Sequence, residues 1–174
     1  MDYIIQVATS ADVPALNRLV NSAYRGESSR KGWATEADLI DGTRIDEAAM
    51  LDLINDKNTT VLKYTEEGII LGCVELRKED DNLYLGMLSV QPDLQGKGIG
   101  KKLMFAGEDF ARTQGCKKVT MTVVSVREKL IAWYLRHGYQ LTGERKPFKF
   151  PDERWGIPKQ PLEFVVMEKV FFSA

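Results

Sequence analysis

The residues best suited to chemistry lie in one glycine- and lysine-rich segment, Gln95-Gly96-Lys97-Gly98-Ile99-Gly100-Lys101, called the glycine loop below. Glycines let the backbone turn tightly and present consecutive N–H groups. A helix that begins in this segment adds the partial positive charge of its N-terminus, and Lys97, Lys101 and Lys102 add cations. The glycine loop is therefore predicted to hold a pyrophosphate.

Two common phosphate-binding motifs do not fit the glycine loop. A P-loop requires Gly-x-x-x-x-Gly-Lys-Ser/Thr, but Lys101 is followed by Lys102 and the glycine spacing differs. The dinucleotide motif Gly-x-Gly-x-x-Gly requires glycine where the sequence has Lys101. The pattern that fits is Gln/Arg-x-x-Gly-x-Gly/Ala, with Gln95, Gly98 and Gly100. Taken alone, the loop also fits a structural turn with solvated lysines.

The flanking sequence predicts a strand before the glycine loop and a helix after it. Leu83 to Val90 has the composition of a strand, and Gly115 is a natural end for the helix. The apolar positions of that helix share one face: Ile99, Leu103, Ala106 and Phe110. Val119 to Val126 contains few charges and predicts a buried strand.

A second helix is predicted farther along the chain. Ser125 and Glu128 form a capping-box pattern before the apolar run from Leu130 to Leu135, and Gly138 ends the helix. The end of this helix reads Tyr134-Leu-Arg-His-Gly138-Tyr139.

With both motifs in this order, the stretch from Tyr84 to Tyr139 resembles the GNAT (GCN5-related N-acetyltransferase) family. In that family the loop binds the pyrophosphate of coenzyme A, and a Tyr-x-x-x-Gly-Phe/Tyr signature follows a strand and a helix. The resemblance implies an enzyme that transfers the acetyl group of acetyl-CoA to a primary amine by direct attack in a ternary complex.

The resemblance also implies an α/β (mixed α+β) fold, as one GNAT-type domain over residues 1–174. Its centre is a mostly antiparallel sheet of about six or seven strands flanked by about four helices. The residue patterns agree, since Thr59 to Tyr64, Gly68 to Arg77 and the strand before the glycine loop are joined by turns too short for a crossover. Further strands are predicted at Tyr3 to Ala8, Tyr139 to Glu144 and Leu162 to Val170.

The resemblance assigns roles to particular positions. Backbone groups of Leu88 and Val90 pair with the pantetheine arm where the strand splays from its neighbour, and the Leu88 N–H donates to the developing oxyanion. Tyr134 matches the tyrosine that protonates the departing thiolate; a buried core aromatic is the alternative. The residues expected to bind acetyl-CoA are Leu88, Val90, Gln95, Gly96, Lys97, Gly98, Gly100 and Lys101.

Two positions depart from the family pattern. Some members carry a glutamate base where this chain has Tyr84, so Glu75 on the preceding strand is the substitute predicted to deprotonate the amine. An outward-facing Glu75 with a water chain in place of a base is the alternative. Many members carry asparagine where this chain has Arg127, and the role of Arg127 stays open.

Composition excludes several classes of protein. A formal charge of −1 gives no overall field to attract nucleic acid or an anionic membrane. Cys73 and Cys116 lack the spacing of a disulfide framework, and with His137 as the only histidine no metal site is predicted. The N-terminus does not resemble a signal peptide, and no apolar run is long enough to span a membrane, so a cytoplasmic location is expected.

In the family, the first helices and a late loop form the acceptor site, which here means Tyr24 to Asp46 and Arg145 to Pro161. The stretch after Trp33 is helix-prone as far as Asn55, and Thr35 and Asp38 form a capping-box pattern at its start. Acidic and aromatic residues in both segments suit a cationic amine, although a solvated helix face explains them equally well. They are Glu27, Trp33, Glu36, Asp38, Asp41, Asp46, Phe148, Phe150 and Trp155.

Three functions therefore remain open. The first is an acetyltransferase for a small-molecule amine, whose site the long loops partly cover. The second is a protein or peptide acetyltransferase, and the third is a catalytically weak CoA-binding regulatory module. A homodimer is also expected from the family, with Phe171 and Phe172 as candidate interface residues.

Overall fold

A seven-stranded sheet crosses this computed structural model, which describes residues 2–25, 29–30, 32, 35–42, 44–148 and 157–171. The strands are β1 (Tyr3–Val7), β2 (Ile40–Asp41), β3 (Thr59–Glu66), β4 (Ile69–Glu79), β5 (Asn82–Val90), β6 (Lys118–Val124), β7 (Gln140–Pro147), β8 (Ile157–Pro158) and β9 (Glu163–Val170). The helices are α1 (Val13–Tyr24), α2 (Glu47–Asn55), α3 (Ile99–Thr113) and α4 (Glu128–Arg136).

The sheet has the strand order β1-β3-β4-β5-β6-β9-β7. All neighbours in it are antiparallel except β5 and β6, which run parallel because α3 crosses over between them. Strands β2 and β8 form a separate antiparallel pair. The predicted mixed α/β fold around a mostly antiparallel sheet is confirmed.

Alternating residues of the strands send their side chains to opposite faces of the sheet. Leu62 and Val74 pack on the face covered by α3 and α4, whereas Val61 and Cys73 pack on the face covered by α1 and α2. Both cysteines are buried. The helices that flank the site are therefore held against the sheet from both sides.

Two local predictions were wrong. Thr35 does not begin a helix: its hydroxyl accepts a hydrogen bond from the Ala37 N–H at 3.0 Å, and Asp38 pairs with Arg30 at 2.7 Å. The helix in this region begins only at Glu47, with Asp46 as its N-cap. Ser125 does not cap α4 either, because Arg127 occupies the N-cap position without a side-chain hydrogen bond.

The sheet opens at its centre, between β5 and β6. Their ladder covers only residues 82–84 against 118–120, so beyond Tyr84 the two strands separate. On its other edge β5 carries a bulge between its pairings with Cys73 and Glu75, where Met87 adopts a φ of 53°. The splay that the family resemblance implied for this strand is thus present.

Candidate active site

Two cavities meet at the opening between β5 and β6. The first, called the loop cavity, has a volume of about 230 Å³ and reaches the glycine loop at Gln95, Gly98 and Lys101. The second, called the arginine cavity, has a volume of about 140 Å³ and lies on the side of α1 and β6. The residues that line both cavities are Tyr24, Leu88, Leu130 and Tyr134.

The glycine loop ends in a helix N-terminus at the loop cavity. Gly96 and Gly98 have φ angles of 85° and 91°, in the left-handed region that favours glycine. The first intrahelical bond runs from the Lys102 N–H to the Gly98 carbonyl at 3.1 Å. The N–H groups just before Lys102 therefore have no acceptor within the helix, and this is the arrangement that binds anionic groups.

The three lysines of this region differ in position. Lys101 lines the loop cavity, whereas Lys97 is exposed and is not among the cavity-lining residues. The ammonium of Lys102 lies 4.4 Å from the centroid of the Tyr3 ring, on the outside of α3. Gln95 donates from Nε2 to the Val90 carbonyl at 3.0 Å, which ties the glycine loop to the end of β5.

The splayed part of β5 presents its backbone to both cavities. Leu88 and Val90 line the loop cavity, and Leu88 also lines the arginine cavity. The Leu88 carbonyl accepts a hydrogen bond from the hydroxyl of Tyr24. Since a carbonyl oxygen has two lone pairs, this contact leaves it capacity for a second donor.

Tyr134 is both a core residue and a wall of the two cavities. Its side chain is 6% exposed and packs edge-on against Trp133 and Tyr139, at centroid distances of 5.1 and 5.7 Å. Its hydroxyl forms no hydrogen bond with any described residue, so it remains available to a ligand. Burial raises the pKa of Tyr134 well above its usual value, so the phenol stays protonated at neutral pH.

Tyr24 begins a segment predicted to form the acceptor site, but the sequence assigned it no role of its own. It sits at the last position of α1 and lines both cavities beside Tyr134. Burial raises the pKa of Tyr24 to about 12, with the nearby Arg127 opposing the shift. No motif marks this tyrosine, because its position depends on how α1 packs against β5.

The arginine cavity carries basic side chains where acidic ones were expected. Arg25, Arg44 and Arg127 line it together with Glu36. Glu36 contacts Arg25 at 3.1 Å and Arg127 at 3.4 Å, so its charge is already matched. Arg127 lines this cavity and not the loop cavity, which places it on the side away from the glycine loop.

The acidic surface predicted for the acceptor is therefore not found among these residues. Asp38 pairs with Arg30, and Asp46 accepts from the Ala49 N–H as a helix cap. Phe148 does line the arginine cavity, where its ring lies 4.9 Å from that of Phe164. Other residues of the predicted acceptor segments lie outside the described residues: Glu27, Trp33, Phe150 and Trp155.

Glu75 lies on β4 and is not among the residues that line either cavity. It is 8% exposed, and its carboxylate forms no hydrogen bond with any described residue. It faces Gly86, a cavity-lining residue whose Cβ, if present, would lie 3.1 Å from Glu75 Oε1. Burial raises the pKa of Glu75, while the charges of Arg77 and Arg44 oppose that shift. The outward-facing alternative for Glu75 is thus not what the structure shows.

Other candidate groups have structural contacts. His137 lines the loop cavity, but its Nδ1 lies 2.7 Å from the Trp133 carbonyl at the end of α4. Within the described ranges, no three His, Cys, Asp or Glu side chains cluster as metal ligands. No helix in those ranges is long and apolar enough to cross a membrane.

The splay of β5 from β6, the glycine-rich start of α3 and the position of Tyr134 agree with the arrangement that the family resemblance implied for an acyl-CoA-dependent acyltransferase. Residues 15–139 match the model of the Acetyltransferase (GNAT) family, and the chain belongs to that family. Membership confirms the predicted class of enzyme, an acetyl-CoA-dependent N-acetyltransferase.

Individual relatives are more distant. The chain is 35% identical over 71 residues to "Probable N-acetyltransferase camello" of Xenopus laevis, a match that covers 41% of this chain and 32% of that protein. Its fold matches the ribosomal-protein-S18-alanine N-acetyltransferase of Escherichia coli with a TM-score of 0.75 at 15% identity, covering 99% and 96% of the two chains. It also matches yncA of Salmonella typhimurium, solved with its cofactor acetyl-CoA, with a TM-score of 0.73 at 22% identity, covering 100% and 96%.

Proposed function

We propose that this protein transfers the acetyl group of acetyl-CoA to the primary amine of a small molecule, with both substrates bound together. The observation that carries the proposal is the position of Tyr134, in the wall that the loop cavity and the arginine cavity share. A donor in one cavity and an acceptor in the other would meet at that wall. A group that serves both reactants belongs there.

The loop cavity fits the donor. The free N–H groups at the start of α3, together with Lys101, suit a pyrophosphate, and the unpaired edge of β5 suits an extended amide-containing arm. When bound, acetyl-CoA supplies an activated acyl group. The residues proposed to hold it are those predicted from the sequence; Lys97, which does not line the cavity, has the weakest geometric support.

Two groups are proposed to handle charge as the acyl group moves. The N–H of Leu88 donates to the carbonyl oxygen as negative charge develops there, which requires no side chain. The Tyr134 hydroxyl donates its proton to the departing sulfur. Burial keeps this phenol protonated and ready to donate. The same burial disfavours a charged thiolate, so transfer of the proton to the sulfur is favoured.

Glu75 is proposed as the base. An alkyl amine with a pKa of about 10.4 is mostly protonated at neutral pH and cannot attack until it loses a proton. Glu75 has no hydrogen-bond partner among the described residues, its Oε1 lies next to Gly86 of the cavity wall, and its pKa is raised. These are the properties of a carboxylate that can accept a proton from an amine in the arginine cavity.

The covering of the arginine cavity favours a small acceptor over a protein. Strand β2 pairs with β8 through Ile40 and Pro158. The backbone N–H of Lys159 donates to the Leu39 carbonyl at 2.8 Å. These contacts join the two segments expected to flank the acceptor, and Ile40 itself lines the cavity. A peptide in extended form needs an open groove, whereas a small amine fits a space of about 140 Å³.

The first test combines binding with turnover. Acetyl-CoA is titrated into the protein by calorimetry, and thiol release is then followed with a panel of amines. Binding with turnover supports the proposal, binding without turnover of any small amine or peptide indicates the regulatory module, and turnover of peptides alone indicates a protein acceptor. Failure to bind acetyl-CoA overturns the proposed function.

We expect Glu75→Gln to lower kcat/KM by about 100-fold or more, because the amine loses its base. In the wild type, activity should rise with pH through the raised pKa of Glu75, and this dependence should disappear in the variant. Glu67→Gln, an exposed change in the turn between β3 and β4, is the matched control. Activity of Glu75→Gln within a few-fold of wild type would show that water chains suffice.

The same variant should be at least as stable as the wild type at neutral pH. Because burial raises the folded-state pKa of Glu75 above its unfolded value of about 4.3, the folded protein binds the proton more tightly. Stability linked to this group is therefore present at low pH and falls as the pH rises. Glu75→Gln removes the buried charge, so an unchanged or higher Tm would accompany the loss of activity.

A homodimer and a cytoplasmic location remain predictions. Phe171 packs against the core of its own chain and lies under Arg112, whose Cζ is 4.3 Å from the ring centroid. Phe172 lies outside the described residues.

A further inference from the structure

The arginine cavity has an excess of positive charge among its described lining residues. Three guanidinium groups, those of Arg25, Arg44 and Arg127, share the wall with a single carboxylate, Glu36. Glu36 is already in contact with two of the three. A cavity built for a plain or polycationic amine would need the opposite sign, because like charges in a confined space repel.

Arg44 is the one of these three arginines that forms no ion pair with Glu36. It is half-buried, and no ion pair or side-chain hydrogen bond joins its guanidinium to any described residue. Arg25, by contrast, has its Nε on Glu36 with a side chain only 5% exposed. The charge of Arg44 nevertheless acts on Tyr24 and Glu75, which places it near both the shared wall and the proposed base.

The backbone of Arg44 is held firmly in place. Asn21 on α1 accepts hydrogen bonds from the N–H groups of Arg44 and Ile45 at 2.7 and 3.3 Å. Its own amide donates to the Ile45 carbonyl at 2.8 Å. The next residue, Ile45, is buried and packs in the core with residues of α1 and α2. The arginine is therefore presented to the cavity by a fixed segment of chain.

We infer that the acceptor is a small amine that also carries an anionic group, such as a carboxylate or a phosphonate, and that Arg44 binds this group. The guanidinium is planar and offers paired donors that match a carboxylate or phosphoryl oxygen pair. Arg127 completes the positive end of the cavity. This inference rests on the proposed function, since it names the class of acceptor for the same site.

The amine and the anion have separate partners in this arrangement. The anion meets Arg44 in the cavity wall, while the amine is left to Tyr134 in the shared wall and to Glu75 next to Gly86. Arg44 interacts electrostatically with four of the described titratable groups: Tyr24, Arg25, Cys73 and Glu75. Of these, Glu75 is the one carboxylate, and the binding of an anion beside Arg44 would help it to hold a proton taken from the amine.

The test uses pairs of amines that differ only in the anionic group. Leucine is compared with leucinamide, and aminomethylphosphonate with methylamine, by thiol release from acetyl-CoA. For at least one pair the anionic member should have a kcat/KM about 10- to 100-fold higher. Arg44→Gln should reduce that ratio to within a few-fold of one, and Arg44→Lys should restore part of it.

The control is Arg18→Gln, which removes the same charge from an exposed position of α1 that lines neither cavity. It should leave the ratio unchanged. The ratio is the decisive readout, because a general loss of folding or of base strength lowers both members of a pair together.

The outcomes separate this inference from the proposed function. Equal or better turnover of the neutral members, a ratio unaffected by Arg44→Gln, or turnover of neutral members without turnover of any anionic member would overturn the inference alone. Absence of acetyl-CoA binding by calorimetry would instead overturn the proposed function.

Discussion

Gly98→Glu is expected to abolish acetyl-CoA binding, with a loss of affinity of at least about 100-fold by calorimetry. Gly98 is the N-cap of α3 and has a φ of 91°, so any side chain there is strained. A carboxylate at this point would lie among the free N–H groups at the start of α3. It would occupy the position proposed for the pyrophosphate and repel it.

Gly115→Glu provides a matched control at the opposite end of the same helix. Gly115 has a φ of 74° and open space around its Cα, so the substitution introduces similar strain and the same charge. It lies outside both cavities, and acetyl-CoA affinity should stay within a few-fold of wild type. If both variants lost binding equally, the loss would reflect helix stability. If Gly98→Glu still bound normally, the glycine loop would be a structural turn.

The parts of the site that the sequence predicted depend on local signals. The glycine loop, the strand before it and α3 follow one another directly, and each has a pattern of its own within a few residues. Tyr134 was predicted from the Tyr-x-x-x-Gly-Tyr signature, which lies within six residues at the end of α4. Short turns fixed the antiparallel order of β3, β4 and β5 for the same local reason.

The missed features arise from contacts between distant segments. Tyr24 reaches the Leu88 carbonyl across 64 positions of sequence, and Glu36 meets Arg127 across 91. The polar composition of the stretch after Trp33 predicts a helix as far as Asn55, but only Glu47–Asn55 is helical. The structure instead buries Ile40 beside the arginine cavity and Ile45 in the core, five positions apart, a spacing that one helical face does not provide.

The charge of the acceptor site also depends on contacts between distant segments. Among the acidic residues near Trp33, Glu36 is matched by Arg25 after the end of α1 and by Arg127 at the start of α4. The sign of a cavity depends on which charges remain after internal pairing. In this protein the sum over the described wall is positive, which is why a carboxylate or phosphonate is the favoured companion of the amine.

Tyr134→Phe is expected to lower kcat by about 100- to 1,000-fold while leaving acetyl-CoA affinity within about threefold of wild type. The ring packs against Trp133 and Tyr139, and phenylalanine keeps those contacts, so the Tm should change little. The hydroxyl has no partner among the described residues, so its removal leaves none of their polar groups unsatisfied. Stopped thiol release with intact calorimetric binding would identify it as the proton donor.

Tyr24→Phe is the control that shows which of the two tyrosines donates the proton. Both tyrosines line both cavities, but the hydroxyl of Tyr24 is already bonded to the Leu88 carbonyl, so its loss should alter the backbone of β5 and raise KM more than it lowers kcat. The pH profile separates them further. Because burial raises the pKa of Tyr134, a donor at this position stays protonated, and wild-type activity should show no alkaline loss below a pH of about 10. A large fall in kcat for Tyr24→Phe with a mild one for Tyr134→Phe would transfer the role of acid to Tyr24.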